Sequence, residues 1–205
     1  MSAQFVSLAV GYALGGGVLR RKGVRQRPWL ELQRLETEAT YLNHQVRLLQ
    51  QAAGSGLRSD LDVVAGRGFY DIRRARLQSP LLERALELLQ PDGKPRLSDE
   101  VLQVAGLRGI ASLWLDLGLW LPHGGGRLPL QTHADAESLA AHLGQQGVAA
   151  VAADKRGPVV DLRPAVMAEL ARRLRPHVHR SMRHALRPGS EHGLRLLRRG
   201  PLPAR

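Results

Sequence analysis

Ala9-Val10-Gly11-Tyr12-Ala13-Leu14-Gly15-Gly16-Gly17 and Ile110-Ala111-Ser112-Leu113-Trp114-Leu115-Asp116-Leu117-Gly118 decide the reading of this sequence. Each is an apolar run halted by glycine, as a buried helix and its stop would be. Working outward, residues 18–27 are basic and punctuated by glycine, and 29–33 alternate as a strand does, so the two predict a hairpin. Residues 36–51 show helical spacing, with Leu35, Tyr41, Leu42, Val46 and Leu49 on one stripe, and 52–56 stop them. Residues 61–65 and 69–76 form a second strand pair turning at 66–68, and Pro80 opens a helix that ends before Pro91-Asp92-Gly93.

The order then begins again. A short amphipathic segment, 98–107, leads into the second apolar helix, 109–117. A glycine-rich turn at 123–126 precedes a strand at 127–132, and 134–146 is helical with Leu139 and Leu143 on its buried side. Strands at 148–153 and 159–163 flank Lys155-Arg156-Gly157, a helix follows at 164–174, and 176–186 reads as a further one. Helix, two strands, helix, two strands, helix occurs twice, and the repeat carries more weight than any single element. The expected fold class is α+β: two pseudo-symmetric repeats, each of order αββαββα, with helices covering one face of each antiparallel sheet. The expected boundaries are 5–97 for the first repeat, 98–187 for the second and 188–205 for a basic tail. Either half alone is small for a stable core, and packing the halves together solves that.

The formal charge of +12 and pI near 11.4 point to a polyanionic partner, because each cation placed at a phosphate releases a counterion. Lys22, Lys94 and Lys155 are the only lysines. Arginine forks match phosphate and guanine edges, although the codon bias of a GC-rich genome also favours arginine. The absence of cysteine removes disulfides, thiolate zinc sites and cysteine nucleophiles. Residues 1–14 lack a basic leader and a cleavage site, and Arg20, Arg21 and Lys22 follow too soon for a membrane span. The expectation is a cytoplasmic, nucleoid-associated protein without a membrane partner.

Both glycine-stopped runs resemble the paired helices of the LAGLIDADG homing endonucleases, the second in the form with an aromatic residue before the acids. Further residues resemble that family in order: Gln33 closing the second strand, Tyr41-Leu42 in the following helix, and Asp92-Gly93-Lys94 before the second motif. Leu128-Pro129-Leu130-Gln131-Thr132 and Arg175-Pro176-His177-Val178-His179-Arg180-Ser181-Met182 resemble its later strand and closing segment, so the likeness spans residue 5 to about 186. It implies a pseudo-twofold axis at which two helices approach closely on small residues. Gly11 and Gly15 share one face of the first helix, and Ala111 and Ser112 offer small side chains on the second.

The resemblance also implies a carboxylate at the end of each helix, holding divalent metal that activates water. Here the first acid aligns with Gly16 and the second with Leu117. Asp116 is one position early, which turns it about 100 degrees away on a helix of roughly 3.6 residues per turn. The lysine that follows the closing segment aligns with Ala185. The catalytic set is therefore expected to be empty, with no metal and no cofactor. Magnesium enters only in the alternative of an active endonuclease using Asp116 or backbone carbonyls.

The basic surface survives where the resemblance implies a DNA-facing saddle. Arg20, Arg21, Lys22, Arg25 and Arg27 lie on the first hairpin, Arg73, Arg74 and Arg76 on the second strand pair, and Lys94 before the second motif. Arg127, Lys155, Arg156 and Arg163 fall on the strands and turns of the second repeat. Two-stranded ribbons can enter a major groove, with the remaining cations fixing register on phosphates. His177, His179 and His184 cluster without a carboxylate or cysteine at ligand spacing, which favours surface or phosphate-adjacent roles over zinc. The glycine runs at 15–17 and 124–126 lack the Lys-Ser/Thr of a phosphate loop, and Ser181 beside His179 lacks an orienting acid. Trp114 and Trp120 are expected in the core. The expected function is double-stranded DNA binding by a monomer with internal pseudo-twofold symmetry and without efficient cleavage. RNA binding of the splicing-assisting kind is the further alternative.

Overall fold

The helix α1 (Ala3–Leu14) contains no charged residue and buries Phe5, Leu8, Ala9 and Val10 almost completely, so it runs through the interior. The computed structural model describes residues 3–23, 26–64, 71–153 and 157–190. The turn expected at 66–68 and the charged end of the tail, with Glu191, Arg195, Arg198, Arg199 and Arg205, lie outside them.

After α1 come β1 (Val18–Arg20), β2 (Trp29–Leu35), α2 (Ala39–Ala53), β3 (Arg58–Val64), β4 (Ile72–Gln78) and α3 (Leu82–Leu89). The second set is α4 (Asp99–Leu117), β5 (Leu119–Trp120), β6 (Gly126–Pro129), α5 (His133–Gln145), β7 (Ala150–Ala153), β8 (Val159–Leu162) and α6 (Pro164–Leu174). Each set folds into a four-stranded antiparallel sheet of the same order, β1-β2-β4-β3 and β5-β6-β8-β7. The duplicated αββαββα architecture is the one the sequence predicts.

Strand alternation sets the layers. Leu30 and Leu32 of β2 and Ala75 and Leu77 of β4 are fully buried, while Trp29, Glu31, Gln33, Arg74 and Arg76 take the opposite parity. The helix α2 packs on β2 and β4, and α5 on β7 and β8, so each sheet has one covered face and one open face. Between the sheets, α1 packs chiefly against α4, and one continuous apolar core runs through both repeats.

Three elements differ from expectation. The strand expected at 127–132 ends at Pro129, because Thr132 leaves the sheet to cap α5, its side chain accepting from the Asp135 backbone N–H. The helix expected at 176–186 is instead two 3₁₀ turns, Arg175–His177 and Arg180–Leu186, separated by extended Val178. The segments 98–107 and 109–117 join end to end as α4. Ser98 caps its start, and a break at Gly106 (φ 57°) lets the two parts change direction. Trp114 and Trp120 pack edge to face with ring centroids 5.6 Å apart, and both indole N–H groups donate to the carbonyl of buried Ala185. Among the described residues, no helix is long and apolar enough to cross a membrane.

Candidate nucleic-acid interface

The two central helices touch backbone to backbone. A methyl group on Gly11 would stand 2.9 Å from the Cα of Gly109, so here glycine lies against glycine. One turn on, a methyl on Gly15 would stand 2.6 Å from the Ser112 carbonyl oxygen and equally close to Oδ2 of Asp116. Gly15 thus makes the room that Asp116 fills. The helix α1 stops at Leu14. The Gly17 N–H donates to the Tyr12 carbonyl, and Gly16 takes φ +99° between them, so the position aligned with the first acid lies beyond the helix in a left-handed turn. Asp placed at Gly16 is expected to lower unfolding stability by about 1 kcal/mol, checked by urea denaturation, because a side chain is disfavoured in that conformation.

Asp116 does not face solvent. Its Oδ2 accepts a hydrogen bond of 3.0 Å from Nη2 of Arg34, and the two side chains are 12% and 7% exposed. Arg34 shares the parity of Leu30 and Leu32, which turns it from β2 into the core under α4, with its guanidinium 5.3 Å from the Tyr41 ring. Burial pushes the Asp116 carboxyl up, to about 7, against the opposing pull of Arg34. Burial also works against the Arg34 charge, but Asp116, then Tyr41 and Glu38, more than restore it. Arg34 keeps its charge, since a guanidinium does not shed its proton, and any adjustment falls to Asp116.

The open face of the first sheet centres on Trp29. The guanidinium of Arg20 lies 5.3 Å and that of Arg76 5.8 Å from its ring, and with Arg21, Lys22, Gln26 and Gln78 they bound a cavity of about 520 Å³. Several cations here are partnered. Arg76 meets Glu31 at 3.0 Å, Arg74 pairs with Asp62 and Arg21 with Glu83, while Arg73, which has the covered-face parity of Ala75 and Leu77, takes Glu36 at the start of its strand in a two-pronged contact of 2.6 and 2.8 Å. Burial would raise the Glu31 carboxyl, but hydrogen bonds from Arg76 and Gln33 overcome it and hold it below the usual range. Among the described residues, Arg20, Lys22 and Arg27 have no carboxylate partner and are exposed.

The second sheet differs. Its longest described strands have four residues against seven, and among the described residues its open face carries Leu119, Pro129 and exposed Val151 with a single pair, Arg127 to Asp161 at 2.7 and 2.9 Å. Arg163 stands exposed at the start of α6, and Lys94 in the exposed turn after α3, off the sheets. Arg25, Lys155 and Arg156 lie outside the described residues.

Among solved structures, the homing endonuclease I-WcaI bound to its DNA recognition sequence superposes with a TM-score of 0.71 at 15% identity. The match covers 92% of this chain and 88% of that one. I-DmoI in complex with DNA and calcium matches at a TM-score of 0.58 and 16% identity, over 96% and 98% of the two chains. This chain has the LAGLIDADG homing endonuclease fold. No family model and no curated protein matches the sequence.

In a LAGLIDADG fold, divalent metal would need hard oxygen ligands from the ends of α1 and α4. The residues do not fit that group. Gly16 has no side chain, Leu117 has an apolar one, and Asp116 is buried against Arg34. Among the described residues, no three His, Asp or Glu side chains cluster so as to hold a metal ion. Sequence reasoning missed three residues of the LAGLIDADG core and saddle. Trp29 was visible only as a strand position sharing a face with Glu31 and Gln33. Arg34 was hidden because a charged residue on the core parity reads as a strand end. Gly109 sits just before the quoted motif.

Proposed function

We propose that this chain binds double-stranded DNA across the open faces of its two sheets and leaves the strands uncut. The observation that carries the reading is the division of charge. Guanidiniums gather around Trp29 on the open face, and the acid nearest the helix ends is turned inward onto Arg34. The likeness to an endonuclease bound to its recognition sequence supports duplex DNA as the partner. A net charge of +12 supports it independently. A nuclease using Asp116 would first have to withdraw the carboxylate from Arg34 and strand a buried guanidinium, which opposes the endonuclease alternative.

The two sheets would contribute unequally. The first offers Arg20, which has no carboxylate partner among the described residues, beside Trp29 and Gln33, with Arg74 and Arg76 held by Asp62 and Glu31, whereas the described open face of the second is mostly apolar with one neutralised pair. Base reading is therefore expected mainly in the half-site under the first sheet. Two repeats in one chain supply both sheets, which supports a monomer as the binding unit. Arg20→Gln is expected to weaken duplex binding and to reduce the slope of log affinity against log salt by about 0.9, one phosphate contact. Fluorescence anisotropy over a salt series measures this, and an unchanged slope would remove Arg20 from the interface.

A further inference from the structure

We infer that the groove between α2, α4 and the closing segment 175–186 binds the phosphate group of an ester or anhydride, at a place separate from the open sheet faces. Its volume is about 380 Å³, and its lining comes from α1, α2, α4 and the closing segment, with no strand residue among it.

Its chemistry is one-sided. Arg108 enters from α4, Arg180 and Arg183 from the closing segment, and His44, His177 and His179 complete the wall, with no carboxylate in the lining. Among the described residues, none of these three arginines has an acidic partner, in contrast to the paired arginines of the first sheet. Arg183 Nε reaches only the Val178 carbonyl, at 3.4 Å. His44 and His179 lie with ring centroids 4.5 Å apart, and Tyr12, Tyr41 and Ser112 add hydroxyls to the floor. Convergent guanidiniums and imidazoles without a counter-charge form the donor set that phosphate oxygens satisfy, and guanidiniums can do so with two parallel bonds. The volume exceeds a lone ion and suits a nucleotide-sized ester.

Burial first, then neighbouring positive or ionisable groups, push all three imidazoles below the ordinary histidine range. His179, then Arg47 and Arg108, act on His44, Arg108 on His177, and Arg180, Arg183 and Arg47 on His179. A bound phosphate would offset the guanidinium contribution and raise them. The sequence reading left His177 and His179 as surface or phosphate-adjacent residues, and the groove gives them a setting. Whether duplex DNA binds the sheets is a separate matter, so this inference stands or falls by itself.

The test is an NMR titration of the full chain, following the imidazole resonances of His44, His177 and His179 against pyrophosphate, 5′-AMP and a 5′-phosphorylated single-stranded oligonucleotide. Saturable shifts in the millimolar range or tighter are expected. The double variant Arg108→Gln with Arg183→Gln should bind about tenfold more weakly while duplex-DNA affinity stays within about twofold. Should that variant lose its fold by circular dichroism, the exposed pair Arg47→Gln with Arg180→Gln replaces it. Tightest binding of pyrophosphate or 5′-AMP would identify a free phosphate compound as the ligand, and tightest binding of the oligonucleotide a strand phosphate. Shifts that fail to saturate, or that the folded variants leave unchanged, overturn the inference.

Discussion

Leucine in place of Gly11 lowers the unfolding free energy by about 3 kcal/mol or more, measured by urea denaturation. The expectation follows from one distance. Even a methyl group at this position would stand 2.9 Å from the Gly109 Cα, so the clash is with backbone, which cannot rotate out of the way. The rest of the side chain must then force α1 and α4 apart. That separation opens the buried helix contact that joins the two repeats. Gly144 supplies the control. It lies in α5 with nothing within 4 Å of an added methyl, so Gly144→Ala should stabilise by up to about 1 kcal/mol through helix propensity alone. If Gly11→Leu is as well tolerated as Gly144→Ala, the helices do not meet as described.

Removing Asp116 has an effect of similar size for a different reason. At pH 8, Asp116→Ala should cost about 3–5 kcal/mol, because Arg34 stays charged, buried and unpaired. Arg34→Met behaves differently, since Asp116 can escape by taking up a proton. Its pKa is already raised to about 7 by burial. A carboxyl with a raised folded-state value adds stability that is complete below the ordinary carboxylate range and is lost as the pH rises through about 7. In the parent chain this loss levels off above that pH. In Arg34→Met the opposing guanidinium is gone, and the fall should continue above pH 7 at up to about 1.4 kcal/mol per pH unit. Replacing both groups together, Arg34→Leu with Asp116→Ala, should recover most of the loss. Equal pH profiles for Arg34→Met and the parent would contradict the pairing.

The parts of this molecule that were legible in the sequence are those set by local pattern. The two glycine-stopped apolar runs, the alternation at 29–33 and the stripe from Tyr41 to Leu49 each name an element, and their order repeats. What stayed hidden depends on partners distant in sequence. Gly15 meets Ser112, one of the two small residues expected on the second helix, but Gly11 meets Gly109, whose place opposite it no local pattern marks. Arg73, Arg74, Arg76 and Arg127 looked like free cations along the chain, yet each finds a carboxylate across a strand or turn. Asp116 read as a residual catalytic acid, and only Arg34, turned inward from β2, shows where its charge goes.

Duplex-DNA binding over a salt series, with and without magnesium and with strand integrity followed in the same samples, tests the central claim most directly. The account predicts an affinity that falls about a thousandfold between roughly 50 and 200 mM salt, as about six phosphate contacts would give, with the DNA intact in magnesium. Magnesium-dependent cutting, or an affinity indifferent to salt, would contradict it.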